Sequence, residues 1–116
     1  MALRKFVERL TKPVEELDRE ALAQWCDAHE PVPIDRVELR RPVRVAGEVR
    51  SVRIVPRAGA DAMEVTVSDG RANVVAVFLG RRKIAGLTPG RRVVLEGVVS
   101  LDGRTRQMYN PVYTLC

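Results

Sequence analysis

Arginine is the residue whose placement in this sequence could do chemistry. Arg50, Arg53 and Arg57 recur through one stretch, Arg81, Arg82 and Lys83 are contiguous, and Arg104 and Arg106 flank a single threonine. A guanidinium is a permanently charged planar fork that matches phosphate oxygens. Several along one surface can track a phosphate backbone, with binding that weakens steeply in salt as counterions are released. The Arg81-Arg82-Lys83 triplet is the strongest single contact expected. Tyr109 is the aromatic most open to stacking on a base, worth ~1–3 kcal/mol per base. Phe78 shares strand parity with Val74 and Ala76 and is expected in the core, as is Tyr113, while Trp25 lies on a helical stripe and packs. The same arginines also read as a solvated surface. Lys5, Lys12 and Lys83 are the only lysines among 20 basic residues, a preference that a GC-rich genome produces without selection for binding.

Enzymatic chemistry has little to work with. His29 is the single histidine, and Cys26 lies three positions before it; two ligands are too few for zinc. No Ser/His/Asp or Cys/His/Asn set can be assembled around one histidine. Glu15, Glu16, Asp18 and Glu20 form a solvated helix face. A G-x-x-x-x-G-K-[ST] phosphate loop is missing, so no ATP motor is recognisable. The expectation is a non-enzymatic protein with no catalytic residues, cofactor or metal.

At 116 residues the chain is one domain with an appendage. Its net charge of +5 is uneven. Residues 1–36 hold six basic and eight acidic side chains, net −2, and residues 37–116 hold fourteen and seven, net +7. A basic module favours polyanions by long-range attraction. Cys26 and Cys116, near opposite ends, form no disulfide framework. Arg4, Lys5, Glu8 and Arg9 interrupt any apolar run long enough for a signal peptide or membrane span, so a cytoplasmic protein with no membrane partner is expected.

The elements that must position the arginines begin with Pro42 to Pro56. Val43, Val45, Gly47 and Val49 share one parity; Val52 and Ile54 take the other. Alternate strand residues face opposite ways, so the slip predicts a β-bulge or bend, eased by Gly47. A long first strand bent in this way can serve two halves of a closed barrel. Met63, Val65 and Val67 alternate with polar residues in a second strand, and Asp69-Gly70 is a turn. Asn73–Leu79 is a third strand, apolar on both parities, so both of its faces should be covered. Residues 80–86 form a basic connector with room for one helical turn. Arg92 to Ser100 is a fourth strand, Asp102-Gly103 a hairpin turn, and Arg106 to Leu115 a fifth strand that Pro111 interrupts. This pattern is an all-β core: a five-stranded Greek-key OB barrel over residues 37–116. Residues 1–36 are an N-terminal helical extension and linker. Leu3, Phe6, Val7 and Leu10 mark a short helix. Val14, Leu17, Ala21, Leu22 and Trp25 mark a longer one ending near His29. The apolar stripe must cover the barrel, a second copy or another protein, and the outer face of the third strand is one place for it to dock.

The runs MEVTVSDGRANVVAVFLG and GLTPGRRVVLEGVVSLDGRTRQMYNPVY resemble the nucleic-acid-binding OB-fold family, and within it the wedge domain of the RecG branch-migration helicase. Asp69-Gly70 before a strand ending in Phe78, Pro89-Gly90-Arg91 leading to Glu96-Gly97, and Asn110-Pro111 with Tyr113 carry the match over about residues 42–115. The chain looks like a small stand-alone bacterial OB-fold protein. The resemblance implies nucleic acid lying across the second and third strands, flanked by the loops after the first and fourth. The leading expectation is binding of DNA rather than RNA, single-stranded or at a junction, mainly through its backbone, by Arg50, Arg53, Arg57, Arg81, Arg82, Lys83, Arg104, Arg106 and Tyr109. The alternative is a protein-interaction or self-association module using the N-terminal helices or the third strand. The direction of Val75, Val77 and Leu79 separates the two.

Overall fold

The computed structural model describes residues 14–116; the short helix expected over 2–10 lies outside them. The first described element is α1 (Val14–Ala28). It ends where Glu30 takes a left-handed φ of 53° and Pro31 and Pro33 follow, since proline cannot continue a helix. Leu22 and Cys26 are buried against Ala46, with Trp25 and Val94 packed beside them. Arg92 lies 5.2 Å over the Trp25 ring. The Cys26 thiol donates to the Ala46 carbonyl at 3.3 Å, and burial, reinforced by the nearby Asp69 charge, pushes it up to about 11. It therefore stays protonated at neutral pH and behaves as a small apolar side chain. A short 3-10 turn, Ile34–Arg36, follows.

Six strands form one sheet: β1 (Pro42–Arg57), β2 (Ala60–Ser68), β3 (Asn73–Leu79), β4 (Arg92–Asp102), β5 (Thr105–Tyr109) and β6 (Val112–Leu115). The order is β1-β2-β3-β5-β4-β6, and a further β1–β4 pairing closes it into a barrel. The parity slip in β1 is a bulge at Arg50: Val49 faces Val67, and Ser51 faces Thr66. β1 pairs with β4 over residues 42–48 and with β2 over residues 48–57, so one bent strand serves both halves. Parallel pairing of β3 with β5, Val75 to Gln107 and Val77 to Tyr109, completes the closure. The core is mostly β-branched: Val45, Val49, Val65, Val67, Val74, Val93 and Val99, joined by Met108, Phe78 and Leu95.

Gly47 sits where β1 passes against the end of β2. A Cβ there would collide with the Ser68 carbonyl and lie 2.8 Å from Val67 Cγ1. Gly47→Ala is expected to lower unfolding free energy by about 1–3 kcal/mol, the usual cost of overpacking, as read from urea denaturation. An unchanged midpoint would show that the crossing can open.

The expected fifth strand is two strands. Asn110 adopts φ 47°, and Pro111 offers no N–H, so pairing stops between β5 and β6. β5 bonds to β3 and β4, while β6 bonds to β4 alone. Tyr113, expected in the core, is therefore at the margin and exposed; its ring meets the Phe78 edge at 5.8 Å. The connector between β3 and β4 forms no helix, and Ile84 and Leu87 plug the barrel instead. The Asp69-Gly70 turn does more than reverse the chain. Buried Asp69 accepts hydrogen bonds from the Arg71 and Ala72 amides and, through Oδ2, from the Ile34 amide at 2.9 Å, which ties the linker to the barrel. No helix among the described residues is long and apolar enough to cross a membrane.

Candidate functional site

The residues of β2, β3 and β5 that do not fill the barrel share its outer face. Since Met63, Val65, Val74, Ala76, Phe78 and Met108 point inward, alternation sends their neighbours outward. Register then sets them in rows. Ser51, Thr66, Val75 and Gln107 form one row; Arg53, Glu64, Val77 and Tyr109 the next; Val55, Ala62 and Leu79 the third. β3 is seven residues long, so the face runs for ~20 Å along the strands.

Glu64 is the centre of the face. Its side chain is 8% exposed, and both oxygens are engaged. Arg53 Nε and Nη2 donate to Oε1 at 3.2 and 3.0 Å. Arg57 Nε and Nη2 donate to Oε2 at 3.0 and 2.8 Å. Arg57 Nη1 donates to the Tyr109 hydroxyl at 3.0 Å, and that hydroxyl donates to Gln107 Oε1 at 3.1 Å. Glu64 and Tyr109 stand on either side of Val77, two strand spacings apart. One guanidinium touching both must lie across Val77, which is fully buried. Desolvation alone would raise the Glu64 carboxyl, but the hydrogen bonds from Arg57 and Arg53 outweigh it and hold it below the usual carboxylate range. The Arg57 guanidinium is raised in turn, chiefly by its bonds to Glu64. With Glu64 held as a carboxylate between two guanidiniums, Glu64, Arg53 and Arg57 together carry a net charge of +1 at neutral pH.

The remaining polar positions lie at the two ends. At one end, Arg81, Arg82 and Lys83 are exposed immediately beyond β3. Arg82 is 3.4 Å from Asp61, and the Gly80 amide bonds to the Asp61 carbonyl, so this triplet adjoins the β1–β2 loop and Arg57. At the other end, β5 starts beside the start of β3 because the two run parallel. That places exposed Arg104, in the β4–β5 turn, about the length of the face away. Arg106 has the inward parity of Met108 and is half-buried, so it does not share the outer face with Gln107 and Tyr109. Arg50, on the bulge, is exposed and 3.3 Å from Glu48. The structure thus gathers Arg53, Arg57 and Tyr109 on the face, sets Arg81–Lys83 at one rim and Arg104 at the other, and leaves Arg50 and Arg106 off the central rows.

Leu79 and Tyr109 supply the open apolar surface, at 44% and 48% exposure. Asn110 holds them together: its amide donates to the Val77 carbonyl, and its Oδ1 accepts from the Leu79 amide at 2.9 Å. The both-sided apolar pattern of β3 is accordingly covered from outside only in part, by the Arg57 bridge over Val77. The described helix α1 does not dock there. It covers Ala46 on β1 and Val94 on β4, where small and β-branched side chains allow a close approach. Glu64 and Gln107 were not among the site residues expected from sequence. The signal for Glu64 was its outward parity between Met63 and Val65, an acid in the apolar and hydroxyl-bearing run of residues 62–68.

Compared with known families, residues 43–115 match the model described as the OB-fold nucleic acid binding domain and labelled tRNA anti-codon. No curated protein matches the chain.

Proposed function

The chain belongs to the OB-fold nucleic-acid-binding family, and from that membership we propose that it is a non-enzymatic binder of single strands, free or beside a junction. The ligand lies across the outer face of β2, β3 and β5. Exposed Arg81, Arg82 and Lys83 at one rim and Arg104 at the other meet phosphates, and Tyr109 with Leu79 receives a base. The observation that carries this reading is the face itself. It is a strip with open Leu79 and half-exposed Tyr109 beside the arginine-covered Val77, bracketed ~20 Å apart by cationic loops, on the surface where this family holds its ligand. Such a strip suits unpaired bases, which a duplex keeps stacked inside. DNA is the partner implied by the resemblance to the RecG wedge, whereas the label of the matched model names a tRNA anticodon. Base faces and phosphates are common to both polymers, so DNA and RNA of one sequence are expected to bind within a few-fold of each other.

Fluorescence anisotropy with a labelled 12-nucleotide strand, the same sequence as RNA, and the corresponding duplex tests the proposal. Single strands should bind more tightly than the duplex, and Tyr109→Leu should weaken them about five- to tenfold, near the low end of one stacking contact. No binding at low salt, or a preference for duplex, would overturn it. The protein-interaction reading keeps one observation, the exposed Val98 and Val112 on β4 and β6. Concentration-dependent association in sedimentation, abolished by Val112→Asp, would favour it.

A further inference from the structure

A carboxylate is an unexpected centre for a surface that takes a polyanion. Glu64 is nonetheless the most deeply engaged polar side chain of the outer face, receiving two donors from each of two arginines. Its effect on those arginines is specific. Arg57 has Nε and Nη2 committed to Glu64 and Nη1 to Tyr109, so its fork lies flat over Val77 rather than reaching outward. Arg53, though its side chain is 72% exposed, turns Nε and Nη2 inward to the same carboxylate. While Glu64 is ionised, all three nitrogens of Arg57 are engaged and the Nε–Nη2 edge of Arg53 is taken, leaving Arg53 only its outer Nη1 side, and the carboxylate cancels one of their two charges. The rims carry no such internal counter-ion of comparable burial: Arg82 meets Asp61 at 3.4 Å with both side chains well exposed.

Resting on the single-strand reading above, we infer that Glu64 is a specificity-determining residue: by sequestering Arg53 and Arg57 it excludes phosphate from the middle of the face and reserves that ground for an unpaired base on Tyr109 and Leu79. The bound strand therefore runs bases inward at the centre and backbone outward, with phosphates gripped only at the rims. Arg57 becomes a positioning residue. It orients the Tyr109 ring through the hydroxyl and lies 5.8 Å from the ring centroid.

An abasic strand, with the sugar-phosphate chain intact and no bases, separates the two parts of the ligand. The wild-type protein should bind a 12-nucleotide base-bearing strand at least fivefold more tightly than the abasic strand of equal length, as one stacking contact gives. Glu64→Gln is isosteric but cannot hold two guanidiniums as an anion does. It should bind the abasic strand several-fold more tightly than the wild type does, steepen the salt slope by about 0.7, the increment for one more phosphate contact on a single strand, and reduce the preference for bases. Glu64→Asp keeps the charge and should keep the preference. Equal affinity of the wild type for both strands overturns the inference, whether or not the variant folds, and with it the base contact at Tyr109, while leaving backbone binding at the rims intact. A Glu64→Gln protein with native circular dichroism and an unchanged preference overturns it as well. If the wild type binds neither strand, it is the functional reading that fails.

Discussion

Raising salt from about 50 to about 200 mM should weaken the complex with a single strand roughly fifty-fold. The magnitude follows from the rims. Arg81, Arg82, Lys83 and Arg104 are exposed cations placed beyond the two ends of the face, enough for about four phosphates, and each contact on a single strand contributes about −0.7 to the slope of log affinity against log salt. A slope near −3 over a fourfold change in salt gives the stated loss. Changing Arg81, Arg82 and Lys83 together to Ala should remove most of that slope, because the triplet supplies three of the four rim charges. Anisotropy titrations at five salt concentrations for both proteins provide the check. A slope unchanged by the triple substitution would take the triplet out of the interface, and a slope near zero in the wild type would remove phosphate contacts altogether.

Arg57→Ala is expected to be the most destabilising change on the face, lowering unfolding free energy by about 3 kcal/mol, the low end for breaking a buried ion pair. The low end applies because Arg53 still serves Glu64 Oε1 and because Arg57 is a quarter exposed. The loss of the bridge over Val77 adds to it. Arg57→Lys should recover little, since a point charge cannot supply both the fork to Glu64 and the bond to Tyr109. The dependence on pH has a definite sign. The folded-state carboxyl of Glu64 is held down by its two arginines, so the pairing contributes fully above the ordinary carboxylate range and is lost as pH falls through the lowered value. The stability gap between wild type and Arg57→Ala should therefore be full at about pH 7 and narrower at about pH 3. Guanidinium denaturation at both values measures it. A gap of equal size at both would assign the loss to packing over Val77 rather than to the ionised carboxylate.

Several features of this architecture are legible locally. The switch of valine parity between Val49 and Val52 marks the bulge at Arg50, because alternation is a property of adjacent residues. Asp69-Gly70 and Asp102-Gly103 mark turns for the same reason: the left-handed conformations at Gly70 and Gly103 suit a residue without a Cβ. The break at Pro111 and the burial of Phe78 follow from a missing donor and from parity. The split of the last strand into β5 and β6 was harder to see, since Asn110 leaves the strand through its own φ and Pro111 only prevents re-entry.

The central constellation was not legible. Glu64, Arg53, Arg57 and Tyr109 were visible as residue types, and three of them as a basic and aromatic inventory, but nothing in the order of residues says that they touch. Arg53 reaches Glu64 across 11 positions, and Arg57 reaches Tyr109 across 52. Those encounters depend on the β1–β2 register after the bulge and on the parallel closure of β3 on β5. A one-residue slip in either would send the side chains to the opposite face. The same closure places Arg104 and Arg81–Lys83 at opposite rims rather than together, and packing against Ala46 and Val94 rather than β3 keeps α1 off the face. Chain order by itself thus determined the strands, their bend and turns and a basic, valine-rich composition, all of which rest on single residues and interactions between near neighbours. Tertiary structure alone decided that a buried carboxylate would hold two arginines, one of them bonded to an open tyrosine, because that contact exists only after distant strands have paired and the barrel has closed.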